Sequence, residues 1–196
     1  MQHRVVPSLS SLEAVFVDRD GVINQEPGPI LSPDQLLFIP GSLEAILRIN
    51  RMGKYCIGVS NQAAFARGLL SREVFEEICL KLEKALEKIG ASLDDFFYCP
   101  HYPHWEEGWI KELCYPCQCR KPGTLLFEQA AKKYGLELQK TVFIGDATTD
   151  FEAAKRIGMF SIGVRTGHGG KDQKCDTEPD QWAEDLNKAV LSLLGQ

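Results

Sequence analysis

The sequence predicts a doubly wound α/β fold, a parallel sheet with helices on both faces, and three observations carry that prediction. Short runs rich in Val, Ile and Phe alternate with longer stretches whose apolar residues recur at helical spacing, a pattern that implies right-handed crossovers between parallel strands. The first run, Ala14-Val15-Phe16-Val17, ends in Asp18-Arg19-Asp20-Gly21, so a buried strand delivers acids to its C-terminal end. Further predicted strands end in Ser60-Asn61 and in Asp146, and open α/β sheets keep their chemistry at such ends.

The elements follow in order. The first strand covers Ala14 to Asp18, and the Pro- and Gly-broken stretch from Gln25 to Pro40 beside it reads as a flap. Gly41-Ser42 opens a helix carrying Leu43, Ile46, Leu47 and Ile49 and ending near Gly53; Tyr55 to Val59 is the second strand. Ser71 and Glu73 start a long helix with Phe75, Ile78, Leu82, Leu86 and Ile89 on its apolar face, stopped by Gly90. Phe96 to Cys99 is the third strand, and Pro122 is expected to begin a helix bearing Leu126, Ala130 and Tyr134. Thr141 to Gly145 forms the fourth strand, Thr149 to Ile157 a helix, and Phe160 to Val164 the fifth strand. A last helix is expected to carry Trp182, Leu186, Val190 and Leu193.

The 196 residues, 44% hydrophobic and 25% charged, suit a single domain spanning 1–196. A net charge of -5 argues against a nucleic-acid partner. No apolar run reaches the roughly 18 residues of a membrane span, and the stretch through Ser11 lacks the apolar core of a secretory signal. A cytoplasmic protein with no membrane partner is expected. His3 and His104 read as surface histidines, and Cys56 and Cys79 as core. Of seven cysteines, four (Cys99, Cys114, Cys117, Cys119) fall within 21 positions, which in a reducing compartment reads as metal ligation before disulfides.

In strand geometry Asp18 and Asp20 share one side while Arg19 points away, and two adjacent carboxylates ask for a hard cation such as Mg²⁺. An ordinary Asp/Gly turn has the same composition, and a short Asp-x-Asp match does not separate the two. Convergence of strand ends favours a site. Asp18/Asp20, Ser60-Asn61, Arg120-Lys121 and Asp146/Asp150 would meet there, the acids on one Mg²⁺ and Lys121, Ser60 and Asn61 on a phosphoryl group. Cys99-Pro100-His101 facing Cys117-Gln118-Cys119 supplies three thiolates and one imidazole, the ligand set of a structural Zn²⁺ site, with Cys114 a competitor for the place of Cys117.

These motifs resemble the haloacid-dehalogenase-like phosphohydrolases over nearly the whole length. Asp18-Arg19-Asp20-Gly21 matches the first motif, Ser60-Asn61-Gln62 the second, Lys121 the third and Gly145 to Asp150 the fourth. The resemblance implies a small flap and zinc loop (99–119) without a large cap domain. It makes Asp18 the nucleophile and Asp20 the general acid/base, with Ser60 and Lys121 assisting and Glu26, Asn61, Gln62 and Arg120 as substrate contacts. It places Mg²⁺ on Asp18, Asp146, the Asp20 backbone carbonyl and, through water, Asp150, and Zn²⁺ on Cys99, His101, Cys117 and Cys119. A monomer acting on a small phosphorylated metabolite is implied. On the metal, Asp18 is expected to have its pKa lowered.

The zinc ligands resemble a subfamily holding the D-glycero-D-manno-heptose 1,7-bisphosphate 7-phosphatases and the histidinol-phosphate phosphatases. The 15-residue loop from Tyr102 to Pro116, Ala66-Arg67-Gly68 and Val164-Arg165-Thr166-Gly167 resemble the heptose branch. The family often has a tyrosine where this chain has Pro29, a lysine where it has Ala147, and Ser-Gly where it has Ala63-Ala64. Histidinol phosphate remains the alternative substrate; a phospho-accepting signalling domain and a zinc-stapled binding module without turnover remain alternatives of a different class.

Overall fold

The computed structural model describes residues 5–195; His3 lies outside the described residues. Strands β1 (Ala14–Val17), β2 (Tyr55–Asn61), β3 (Asp95–Cys99), β4 (Thr141–Gly145), β5 (Phe160–Val164) and β6 (Gln181–Ala183) form one sheet in the order β3-β2-β1-β4-β5-β6. Every pairing is parallel. The chain winds outward from β1 in one direction, then returns to β4 and winds outward in the other. The β1/β4 boundary is therefore the topological switch point, where a crevice opens beyond the strand ends.

Alternation along β1 divides the core. Val15 and Val17 face one layer with α1 (Ser42–Arg51), α2 (Arg72–Glu87) and α5 (Leu186–Leu193), while Ala14 and Phe16 face α3 (Leu125–Tyr134) and α4 (Thr148–Arg156). With both faces covered, the central strands are apolar throughout, as a parallel sheet demands. Phe16, Phe127 and Phe143 stack edge to face at 5.5 and 4.9 Å between centroids in the second layer. Among the described residues no helix is long and apolar enough to cross a membrane.

Three expectations are corrected. Trp182 stands in the short edge strand β6, not in the last helix, because Asp185 caps α5 by accepting from Lys188 N at 2.8 Å. The four-residue spacing from Trp182 to Leu186 mimicked one helical turn; the indole instead lies under the Arg165 guanidinium, 3.6 Å from its carbon, and against Phe151. Pro122 does not begin α3. It follows a cis bond, and Leu125 N reaches back to Gln118 O at 3.1 Å, so the chain turns before the helix starts. Ile89 lies beyond the end of α2 and is 37% exposed. Ser71 does cap α2, its hydroxyl accepting from Val74 N at 3.3 Å.

Candidate active site

At the switch point Asp18 follows β1 directly, its N–H donating to Ile144 O at 3.0 Å. Lys121 Nζ lies 2.7 Å from Asp18 Oδ2 and 2.9 Å from Asp150 Oδ1, and donates to Val59 O at 2.9 Å. Asn61, at the end of β2, clamps the lysine's own peptide: its Nδ2 donates to Lys121 O at 3.1 Å and its Oδ1 accepts from Lys121 N at 2.9 Å. The amide read from sequence as a substrate contact thus holds the lysine in place.

The Asp20 carboxylate lines the same cavity as Asp18 but does not join it in the acid cluster. β1 ends at Val17, and residues 19 to 24 curl into a turn in which Ile23 N donates to Arg19 O at 2.8 Å and Gly21 takes a φ of 77°. Strand alternation stops applying there. Arg19, expected to point away, grips Asp20 through Nε at 3.0 Å and Nη2 at 2.8 Å. Asn24 Nδ2 at 3.0 Å and Gln62 Nε2 at 2.7 Å complete the cradle, and Gln62 also donates to the buried Ser60 hydroxyl. Burial alone would raise the Asp20 pKa, but the Arg19 charge and these hydrogen bonds hold it below the usual carboxylate range.

The second acid pair comes from β4 and α4. Asp150 Oδ2 accepts from the N–H groups of Asp146 and Ala147 at 3.2 and 3.1 Å, tying the helix N-terminus to the strand end. Oxygens of Asp18, Asp146 and Asp150 lie within 4.8 Å of one another. Among the described residues, Lys121 is the cationic side chain that pairs with Asp18 and Asp150. Burial pushes Asp18 up to about 6, with the Lys121 charge opposing. Burial and the charges of Asp150 and Asp18 push Asp146 up to about 9. Hard oxygen donors with excess negative charge fit a divalent cation such as Mg²⁺. The Asp20 carboxylate, turned to Arg19, does not belong to this cluster.

The flap reaches the same cavity, of about 220 Å³, through Glu26, Gly28, Pro29 and Ile30. Burial and the nearby Asp20 and Asp18 push Glu26 up to about 7. Its Oε2 lies 3.5 Å from Nε2 of His168. His168 was not foreseen from sequence, nor was Lys174, which also lines the cavity. The glycine-rich loop after β5 was the only signal available.

On the far side of β2, Cys99, His101, Cys117 and Cys119 converge with their ligand atoms within 4.8 Å. His101 Nδ1 is 3.1 Å from Cys119 Sγ, and Cys99 Sγ is 3.1 Å from Cys119 Sγ. Three sulfurs and one imidazole fit a closed zinc site. Cys114 lies apart, its thiol 3.9 Å from Ala66 O, which removes it as a competitor within this geometry. Trp109 packs against Tyr102 at 5.2 Å, while Trp105 is half exposed. The cluster abuts the site: Arg120 Nη1 donates to His101 O at 3.1 Å, and Lys121 follows directly.

A parallel sheet carrying acids at the β1 and β4 ends, with a lysine bridging them and no large cap, defines a haloacid-dehalogenase-like hydrolase. A family model described as HAD-hydrolase-like matches residues 118–189. The D-glycero-D-manno-heptose-1,7-bisphosphate 7-phosphatase of Thermosynechococcus vestitus is 36% identical over 182 residues, covering 90% of this chain and 93% of that one. The D-glycero-beta-D-manno-heptose-1,7-bisphosphate 7-phosphatase of Photorhabdus laumondii is 34% identical, covering 93% and 97%. The crystal structure of D,D-heptose 1,7-bisphosphate phosphatase from Bordetella bronchiseptica, complexed with magnesium and phosphate, has a TM-score of 0.82 at 32% identity and covers 94% of this chain and 99% of that one. The chain belongs to the D-glycero-D-manno-heptose 1,7-bisphosphate 7-phosphatase family.

Proposed function

We propose that the protein hydrolyses the 7-phosphate of D-glycero-D-manno-heptose 1,7-bisphosphate through an aspartyl-phosphate on Asp18. The observation that carries the mechanism is Asp18 at the switch point with Lys121 Nζ 2.7 Å from its Oδ2. The lysine, held by Asn61 and by Val59 O, places a fixed positive charge where the phosphoryl oxygens gather. Asp18 attacks phosphorus, the bond to the sugar oxygen breaks, and Asp20 gives that oxygen its proton. In the second half Asp20 takes a proton from water as it attacks the phosphorus and frees Asp18.

The cradle around Asp20 suits the second half, since it favours the ionised base. Its acid role depends on the arriving phosphoryl dianion, a like charge that raises the carboxylate's proton affinity. Mg²⁺, which Asp18, Asp146, the Asp20 carbonyl and Asp150 through water would hold, supplies the charge neutralisation that lets a carboxylate meet a phosphate. Zn²⁺ on Cys99, His101, Cys117 and Cys119 would rigidify the segment that aims Arg120 and Lys121. We further read the protein as a cytoplasmic monomer, which sedimentation at assay concentration checks.

The test is phosphate release from heptose 1,7-bisphosphate, histidinol phosphate and an aryl phosphate, each with and without Mg²⁺. The reading expects the highest kcat/KM on the heptose substrate and none of these activities without the cation. Preference for histidinol phosphate would overturn the substrate, and absence of release from all three would overturn the enzyme.

A further inference from the structure

Resting on that reading, we propose that Lys174 is a specificity-determining residue that binds the second phosphate of the bisphosphate substrate. The transferred phosphate and its distal partner make competing demands on charge. Lys121 is committed to Asp18, Asp150 and Val59 O, and Arg19 to Asp20 and Gln62. A distal phosphate therefore needs cations outside the acid cluster.

A second cavity, of about 480 Å³, adjoins the first, and Asn61, Arg120, Lys121, Thr149 and Lys174 line both. A ligand with a phosphate in each must pass this shared wall. Arg120, anchored to His101 O, and Lys174 are its cations outside the Asp18 cluster. Arg156 lines the second cavity too, but Glu152 at 2.9 Å and Pro122 O at 3.1 Å engage its guanidinium.

The Lys174 ammonium is available. Its side chain is 55% exposed, and its ion-pair partner, Asp172 Oδ2, is 3.9 Å away. That carboxylate also accepts shorter bonds from Thr148 N at 2.7 Å and Thr148 Oγ1 at 3.0 Å. The position of the lysine is nonetheless set. Cys175 N donates to Thr148 Oγ1 at 3.0 Å, so Asp172 and Cys175, before and after Lys174, are both pinned to the first turn of α4. Earlier in the same loop, His168 N donates to Asp146 Oδ2 at 2.6 Å and Gly170 N to Asp146 O at 2.7 Å. One loop thus carries both the contacts to Asp146 and a cation on the wall shared by the two cavities, an arrangement that suits a molecule with two phosphates.

Steady-state kinetics of Lys174→Ala on heptose 1,7-bisphosphate and on heptose 7-phosphate test this, with Lys171→Ala, exposed in the same loop and outside both cavities, as control. Loss of one charge-assisted contact is expected to lower the bisphosphate-to-monophosphate ratio of kcat/KM about tenfold, mainly through KM. Lys174→Arg restores most of the ratio, and Lys171→Ala leaves it at the wild-type value. An unchanged ratio in Lys174→Ala, or an equal loss on both substrates with a lowered melting temperature, would overturn the proposal while leaving the proposed reaction standing. A wild type with no preference for the bisphosphate over the monophosphate would also overturn the proposal, whereas failure to turn over either substrate would overturn the reaction itself.

Discussion

The two clusters, one of carboxylates around a lysine and one of sulfurs around an imidazole, lie on either side of Lys121 yet are held together by different forces. Asp18, Lys121 and Asp150 are 7%, 3% and 0% exposed and are fastened to strand ends and a helix N-terminus by backbone hydrogen bonds. Their geometry is a property of the sheet. The cysteine loop has Cys99 on β3, but between there and Lys121 it contains only a 3₁₀ turn (Lys111–Leu113) and a bridge between Tyr102 and Cys114. Its three other ligand residues are half-buried, and their ligand atoms converge with the Cys99 sulfur. The comparison teaches that the reaction centre is preorganised by the core, whereas its approach has little regular structure and brings together a ligand set that suits a metal.

Asp18→Asn is the sharpest way to break the first half of that contrast. It is expected to lower kcat by more than about 10⁴-fold, within the 10⁶-fold or greater acceleration enzymes supply, with the melting temperature retained because a neutral amide is easier to bury. Turnover within tenfold of wild type would sink the covalent mechanism. Asp20→Asn loses turnover likewise but is expected to retain radiolabelled phosphate on the protein. Brief EDTA treatment should remove activity reversibly, Mg²⁺ restoring it, with little change in melting temperature.

The second half breaks at Cys119. Cys119→Ala is expected to bring zinc well below one per chain by metal analysis. Activity should fall about 10²-fold, the cost of displacing a catalytic group by roughly 1 Å. A loss of about 3 kcal/mol would lower the melting temperature by roughly 6–12 °C. Retained zinc with full activity would show that the loop is ordered without it.

Arg19→Met sharpens the comparison inside the core. Without the guanidinium, Asp20 keeps only its bonds to Asn24 and Gln62, so its pKa rises and the acid limb of kcat/KM moves to higher pH, with about tenfold loss at neutrality as part of the general-base contribution. The sign for stability follows. Asp20's folded pKa lies below its reference value of 3.8, so in the wild type its contribution is present above that value and lost as pH falls through the folded one. Arg19→Met should flatten that acid loss, measured as unfolding free energy between pH 5 and 3. Cys114→Ala is the smallest effect expected: zinc kept, and activity within about twofold, as for substitutions away from the site.

Periodicity and spacing in the chain itself determined five of the six strands, the helices between them, the motif acids at the β1 and β4 ends, and the four residues of the sulfur cluster. These were legible because each depends on neighbours close in sequence: a short apolar run in a strand, an i, i+4 stripe, two ligands one residue apart. Tertiary structure alone decided that Trp182 joins the sheet edge, that Asp20 turns to Arg19 and Gln62, that Asn61 clamps Lys121, and that His168 and Lys174 reach the cavity. Apart from the pairing of Asp20 with its neighbour Arg19, each of those outcomes is a contact between segments distant in the chain. A side chain's partner across such a distance is set by which surfaces the folded sheet and its helices bring together, and no local pattern records it.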